Sequence, residues 1–486
     1  MSNNVAQELA KTAYGDLRVE ACSPVTQVKS TTGLLAGILT TTDDLFSGTN
    51  TVVDRKYTCT SGTDSDGLAS ILTQRQLTTR AGQGSIALFS AAFNSPIIDV
   101  NQAAGLITAE TIFTFGYIGV NFGILMARDG IDELQELTLT VAGGSENVNI
   151  TIDGTVYVVA LSGVGTLQGD AYEIATSLDS QVVNYRFTSN NDQVVAQSVL
   201  PDAQGSFVYS SGGSSVGSWS QISVGTPPAI TFIPQASWNK DTRLNIGTPA
   251  TLVPQSMNYY KIQLNGSVDF FLEDSETKDY VLVHRESFAN LNNLSNPAEE
   301  TFRIGWIIRN VGSTIGGAIQ GTFAAGFIEG NIFYDTTPQG VSSNQAVTAG
   351  SGQRSVIIIR NRISFNGRVN RSEILPLTIS GTSQTSKFAR FKILINPTFS
   401  APVTFTYRDK ANSIVETATD DVEVTGGLVV GSGTVEAGSG IRIEFNKTKN
   451  RATAIYPGSI ICIVADIPSG GGSADCQADI TLQEDL

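Results

Sequence analysis

The apolar residues of this chain come in short runs, and that constrains its fold more than any other feature. The runs SIALFSAAF, TIFTFGYIGV, FGILMAR, TFRIGWIIR, TFAAGFIEG, KFARFKILIN and SIICIVADI are separated by Gly, Ser, Thr and Asp clusters. In TIFTFGY, Phe113, Phe115 and Tyr117 fall on one face, with Thr114 and Gly116 on the other. Short runs with a period of two and turn residues between them are strands. Charged residues make up 15% of the chain, against about 25% in ordinary globular proteins. That is too few for a coiled coil, and 41% hydrophobic content is too many apolar residues for a disordered chain. The expected fold is mainly β: tandem β-sandwich, jelly-roll-like domains, with a small inserted α+β unit containing one helix.

The organisation reads as follows. Residues 1–80 mix Thr/Ser/Gly clusters with short β-prone pieces and have few residues for a core of their own, so they read as an arm. Residues 3–14 have a helical pattern capped by Asn4, and 68–80 are ambiguous between strand and helix. One β-sandwich is expected over 81–134 and 229–332. Between its halves, 135–228 reads as the insertion: NVNITIDGTVYVVAL is a hairpin with Asp153-Gly154 as its two-residue turn, and AYEIATSLDSQV is the clearest helix. Ala171, Ile174, Ala175, Leu178 and Val182 line one face of that helix, with Asp170 as the expected N-cap and Glu173 completing a capping box. Residues 333–354 read as a linker and 355–486 as a C-terminal sandwich.

Several chemistries are excluded or weakened. The single histidine, His284, rules out multi-His metal centres within one chain, and its place in the strand-like run YVLVHRE suits packing better than a triad. Cys22, Cys59, Cys462 and Cys476 have no metal-ligand spacing; a Cys22–Cys59 or Cys462–Cys476 bridge stays open beside free buried thiols. The net charge of −15 argues against a nucleic-acid partner. No apolar run is long enough to cross a membrane as a helix, and the N-terminal residues have no signal-peptide pattern. GVGTLQG (163–169) mimics a dinucleotide fingerprint but has one residue too many and follows an antiparallel hairpin. DSDG (64–67) lacks the distal ligands of a calcium loop, and EDSETKD (273–279) sits between two strand patterns as a hairpin tip. No cofactor, no metal and no catalytic residue are expected.

One cluster has recognition chemistry. Trp238, with Asn239, Lys240, Asp241 and Arg243 after it, offers a ring to stack on a sugar and polar groups to orient it, with core packing as the competing role. The same question attaches to Trp219 and Trp306. A chain so rich in short strands and so poor in Lys also leaves sheet edges with little charge to block pairing, which points to a symmetric oligomer.

An ordered set of segments carries a resemblance. VAQELAKTAYGDLRVEACSPVTQV, TTRAGQGSIALFSAAF, FGYIGVNFGI, LTLTVAGG with AYEIATSL, QASWNKDTRL and VDFFLEDSETKDYVLVHRESFAN together resemble virion structural proteins of tailed bacteriophages and large aquatic DNA viruses, of the tail-fibre, spike or capsid-associated fibre type. The resemblance implies a non-enzymatic virion protein made in the host cytoplasm. It implies a homotrimer whose N-terminal arm docks onto other capsid or tail proteins, and which contacts the host surface. The alternatives are a carbohydrate-binding receptor-recognition module and, further off, a glycan depolymerase using Glu273 and Asp274.

Overall fold

The computed structural model describes residues 22–485, except 36–39, 79–83, 109–110, 129, 164, 183, 191, 199–204, 245–250, 288–300, 330–336, 384–387, 437–438, 446–453 and 469–472. The expected helix over 3–14 lies outside the described residues. The fold is mainly β, with antiparallel sheets and one α-helix among the described residues. The chain divides into two units, Met1–Gly130 with Pro227–Ile332 and Ile131–Thr226 with Phe333–Leu486.

The first unit holds two large sheets. One runs in the order Tyr280–Ser287, Ser267–Glu273, Asn258–Leu264, Ser85–Phe93, Ala318–Gly321, Lys56–Thr60, Thr49–Val53, with Phe323–Glu329 and Cys22–Lys29 paired alongside. The other runs Ala229–Pro234, Asn121–Arg128, Ile112–Ile118, Val100–Ile107, Thr301–Asn310, Leu68–Thr73, Thr40–Leu45. Their inner faces share one aromatic core. Phe115 lies 4.7 Å from Tyr260 and Phe113 lies 5.8 Å from Phe302, ring centre to ring centre. Trp306 is buried, and its indole N–H crosses the core to the Ser90 carbonyl of the opposite sheet at 2.8 Å. Gly321 makes room for it, since a Cβ there would come within 2.1 Å of the indole.

Residues 22–78 are not an arm. They supply six strands to the two sheets of the first unit, and 68–73 resolves as strand rather than helix. Tyr57, Cys59, Leu68, Ala69 and Ile71 are core residues. These pieces are too sparse to build a core alone, but pairing with distant strands completes one. Long-range pairing of this kind leaves no local sequence signal.

The second unit contains the helical segment and the C-terminal strands. Residues Ile131–Thr226 thus group with 333–486, whereas the sequence suggested a loop insertion on the first sandwich. In 131–226 a four-stranded sheet (Tyr185–Asn190, Gln193–Ser198, Leu134–Val141, Val216–Ser223) and a three-stranded sheet (Thr155–Ala160, Asn147–Ile152, Phe207–Ser211) share a core with the helix Leu167–Gln181. Asp153 and Gly154 both take the left-handed conformation, φ 52° and 80°, as a type I′ hairpin turn requires. The helix begins a turn earlier than an Asp170 cap implies. Thr166 is the N-cap, and its hydroxyl accepts the Gly169 N–H at 3.1 Å. Asp170 is buried in the first turn and accepts the Gly143 N–H at 2.6 Å; Glu173 binds the backbone N–H and hydroxyl of Ser162. Both acids anchor neighbouring loops, so Thr166 is left to cap the helix.

In 333–486 a six-stranded sheet and a four-stranded sheet pack an Ile/Val-rich core. The expected linker is part of this body: Gln339–Thr348 pairs along its whole length with Ser473–Asp485. Its low hydrophobicity hides it, because only Val341 and Val347 turn inward to the core. Arg360 ties the two parts of the second unit together. Its Nε donates to Glu416 Oε2 at 2.6 Å, its guanidinium stacks 3.9 Å from the Phe405 ring centre, and its Nη2 donates to the Ser189 carbonyl. Asn190 adds a second donor to Glu416 at 2.6 Å.

Candidate interaction surfaces

The Trp238 cluster forms a corner of the first unit. Strand Ala229–Pro234 ends in a single 3-10 turn, Gln235–Ser237, which drops Trp238 into the core. Its ring meets Phe115 and Phe122 edge-on at 5.9 and 6.3 Å, and only 4% of the residue is exposed. A ring so placed cannot stack on a sugar, which corrects the glycan-contact expectation at Trp238. Asn239 acts as a strand partner to Tyr280–Ser287: its side chain exchanges two hydrogen bonds with the Arg285 backbone at 2.8 and 3.0 Å. Lys240 and Asp241 N–H groups both donate to the Val283 carbonyl. Asp241 then receives the Arg243 N–H at 2.8 Å, and Arg243 reaches Asp274 at 3.1 Å. Of the four residues singled out, Asn239 and Asp241 are spent on holding this corner, Trp238 on the core, and Lys240 has an exposed side chain.

His284 sits inside the same corner. Its Nδ1 accepts the Asn239 N–H at 3.2 Å, which fixes the neutral form with the proton on Nε2. Burial depresses its pKa below 6.5, and Asp269 works in the opposite direction. Asp269 itself is held by a two-pronged bond from Arg285, 2.7 Å on each arm.

The acidic run 273–279 forms the tip of the hairpin between Ser267–Glu273 and Tyr280–Ser287. The Asp274 carboxylate accepts the N–H groups of Glu276 and Thr277 at 2.9 and 3.1 Å. Those two bonds, with Arg243 behind them, hold its pKa below the ordinary carboxylate value. A general acid needs the opposite shift. DSDG is likewise a turn: Asp64 receives the Asp66 N–H, and its carbonyl receives that of Gly67. In GVGTLQG, Gly163 and Gly165 take left-handed conformations that turn the chain from an antiparallel hairpin strand into the helix.

Sequence reasoning missed a buried acid with four donors, Glu133. Its carboxylate accepts from the Tyr185 hydroxyl (2.7 Å), the Gly205 N–H (2.7 Å), Gln135 (2.8 Å) and Gln221 (3.0 Å). Burial, then Glu133 itself, raises the Tyr185 pKa. The donors come from four separate segments, so no local motif announces them. Cys59, Cys462 and Cys476 are free and buried, which answers the Cys462–Cys476 question; the Cys22 side chain lies outside the described residues. Burial raises the Cys476 thiol to about 11.

The sheet ends are the other distinctive surface. Thr49–Val53, Ala229–Pro234, Thr155–Ala160, Gln339–Thr348 and Leu428–Val435 each end a sheet, and none contains Asp, Glu, Lys or Arg. Apolar side chains along them face outward: Val53, Ile230, Val156, Val158 and Val429 are all about half exposed or more. Natural edges are commonly blunted with charge or Pro; of these five strands only Ala229–Pro234 has a Pro, at its last position.

No protein-family model matches the chain, and no curated protein matches it. Among solved structures, the binding domain of Botulinum Neurotoxin DC in complex with SialylT aligns at 7% identity over 90% of this chain and 98% of that one, with a TM-score of 0.24. An archaeal virus protein described by its triple jelly roll fold and turret assembly aligns at 8% identity, covering 92% and 90%, with a TM-score of 0.16. The infectious bursal disease virus Gx strain aligns at 9% identity, covering 98% and 77%, with a TM-score of 0.15. Likeness at this level assigns no function.

Proposed function

We propose that this chain is a non-enzymatic structural protein of a virus particle that assembles with copies of itself through its sheet edges. The observation that carries the reading is that uncharged strands end sheets in both units: the five above, and Phe207–Ser211 and Val216–Ser223 besides. An edge strand offers a row of unpaired N–H and C=O groups, and an uncharged edge places no repulsion in the way of a second strand. Cyclic assembly covers such edges in pairs. The sequence resemblance to fibre and spike components supplies the particle. One acid considered for catalysis supports the same reading from another side: Asp274 is held ionised in a turn.

Glycan recognition through Trp238 is not retained, because the ring belongs to the core. Imaging purified particles from cultures that carry the gene, labelled with antibody raised against the full chain, tests the proposal. Label in a regular pattern on the particle surface supports it. Particles that contain no trace of the chain by label and by mass spectrometry overturn it.

A further inference from the structure

Five connections of the first unit lie at one end of its sandwich, residues 46–48, 61–67, 94–99, 119–120 and 310–317, and hydrogen bonds stitch all but 119–120 together. The Ser47 hydroxyl accepts the Asp64 N–H at 2.7 Å and donates to the Ser61 carbonyl at 3.2 Å. The Asn310 amide donates to the carbonyls of Gly62 and Asp64 at 3.1 and 2.6 Å. Gly312 N–H reaches Ser65 O at 2.9 Å, Val311 N–H reaches Asp99 O at 2.8 Å, and Gly317 N–H reaches the Ser61 hydroxyl at 3.0 Å. Gly119 lies beside Asp99, where a Cβ on it would make an ordinary van der Waals contact, 3.8 Å from the Asp99 nitrogen. The backbone is held in unusual states here. Phe46 and Asp99 have φ of 57° and 59°. A bulky residue in that region costs on the order of 1 kcal/mol or more and persists only where its surroundings enforce it.

This frame displays apolar side chains to solvent. Phe46 is 53% exposed, Ile98 70%, Val120 53%, Val311 51% and Ile315 64%. Asp64, Asp66 and Asp99 are exposed among them, and the five connections contain no Lys, Arg or His. Scattered exposed apolar residues need no explanation, but a set gathered on hydrogen-bonded loops at one end of a rigid sandwich marks an interaction site. The fixed backbone removes most of the ordering cost of binding.

We infer that this loop end is the docking surface for a protein partner presenting an apolar hollow rimmed by Lys or Arg. The charge selects that occupant. Three carboxylates without a cation complement a basic rim, whereas a second copy docked through the same end would bring like charges together, and an anionic bilayer would be repelled. The surface is separate from the sheet edges and does not depend on them.

The test pans a displayed library of random dodecapeptides against the full-length chain. The selected peptides are expected to combine apolar residues with Lys or Arg. Their affinity should fall about tenfold or more between low and high salt. It should fall at least about tenfold on the Ile98→Asp/Ile315→Asp chain. Both positions are so exposed that the variant should melt with the wild type, and Ile98→Ser/Ile315→Ser provides an uncharged control that also loses binding. Peptides with no basic bias, or binding indifferent to both variants, overturn the inference. So does binding of the wild-type chain to phosphatidylcholine vesicles that the variants lose, which would make the occupant a bilayer. A smaller oligomer for the variants than for the wild type in light scattering would make it a second copy, and also overturns it.

Discussion

Replacing Arg360 with Met probes the second unit at its most sensitive point. The guanidinium is buried, pairs with Glu416 at 2.6 Å and stacks on Phe405. It also reaches the Ser189 carbonyl, in the other part of the same unit. Met fills much of the volume but leaves Glu416, only 2% exposed, with one neutral donor, Asn190, among the described residues. Orphaning one member of a buried ion pair costs about 3–5 kcal/mol. For a body of this size that lowers the melting temperature by roughly 6–20 °C. Calorimetry and urea unfolding of the variant should show the drop in one transition. Hydrogen exchange should show loosening first along Tyr185–Asn190. Adding Glu416→Gln removes the stranded charge while keeping an amide for Asn190, and should recover most of the loss. A single variant within about 1 kcal/mol of the wild type, or a double variant as unstable as the single, would refute the reasoning.

Four further outcomes follow from the same geometry. Trp238→Ala should destabilise the first unit by about 3–5 kcal/mol, measured by urea denaturation, and Trp238→Phe by less; a glycan array that binds wild type and loses Trp238→Phe would contradict the core role. Thr166→Ala should cost the helix about 1 kcal/mol in thermal denaturation, as the loss of its N-cap. His284 is neutral when folded, with a pKa lowered by burial. It therefore contributes stability that is complete above about pH 6.5 and is lost as pH falls below that value; urea titrations from pH 7.5 to 5 should show the loss, and His284→Gln should flatten it. Cys59 and Cys462 are raised well above the ordinary thiol range by burial, so native protein should leave them unmodified by thiol reagents at pH 8, whereas urea exposes them.

Local patterning made part of this legible. Period-two runs marked strands such as Ser85–Phe93 and Ile112–Ile118 in the first unit, the Asp153-Gly154 dipeptide marked a hairpin of the second, and the i, i+3, i+4 pattern marked the helix. What escaped was non-local. The strands within 22–78 look like loose pieces until distant partners such as Thr301–Asn310 and Phe323–Glu329 complete their sheets. Gln339–Thr348 has too few apolar residues to stand out, yet it pairs over ten positions. Trp238 illustrates the limit for sites: polar neighbours in sequence suggested exposure, while the 3-10 turn before it rotates the ring into the core. The loop end was invisible because its five connections are far apart in the chain and meet only through hydrogen bonds and contacts that no local motif marks.

Self-assembly through uncharged sheet edges, as proposed above, fixes the mass this chain should have in solution. Light scattering on the purified full-length protein, over a hundredfold range of concentration, tests it most directly. A mass fixed at an integer multiple of the chain, reduced when Val156→Lys and Ile230→Lys place charge on two of the end strands, is the predicted result. A mass equal to one chain at every concentration would contradict it.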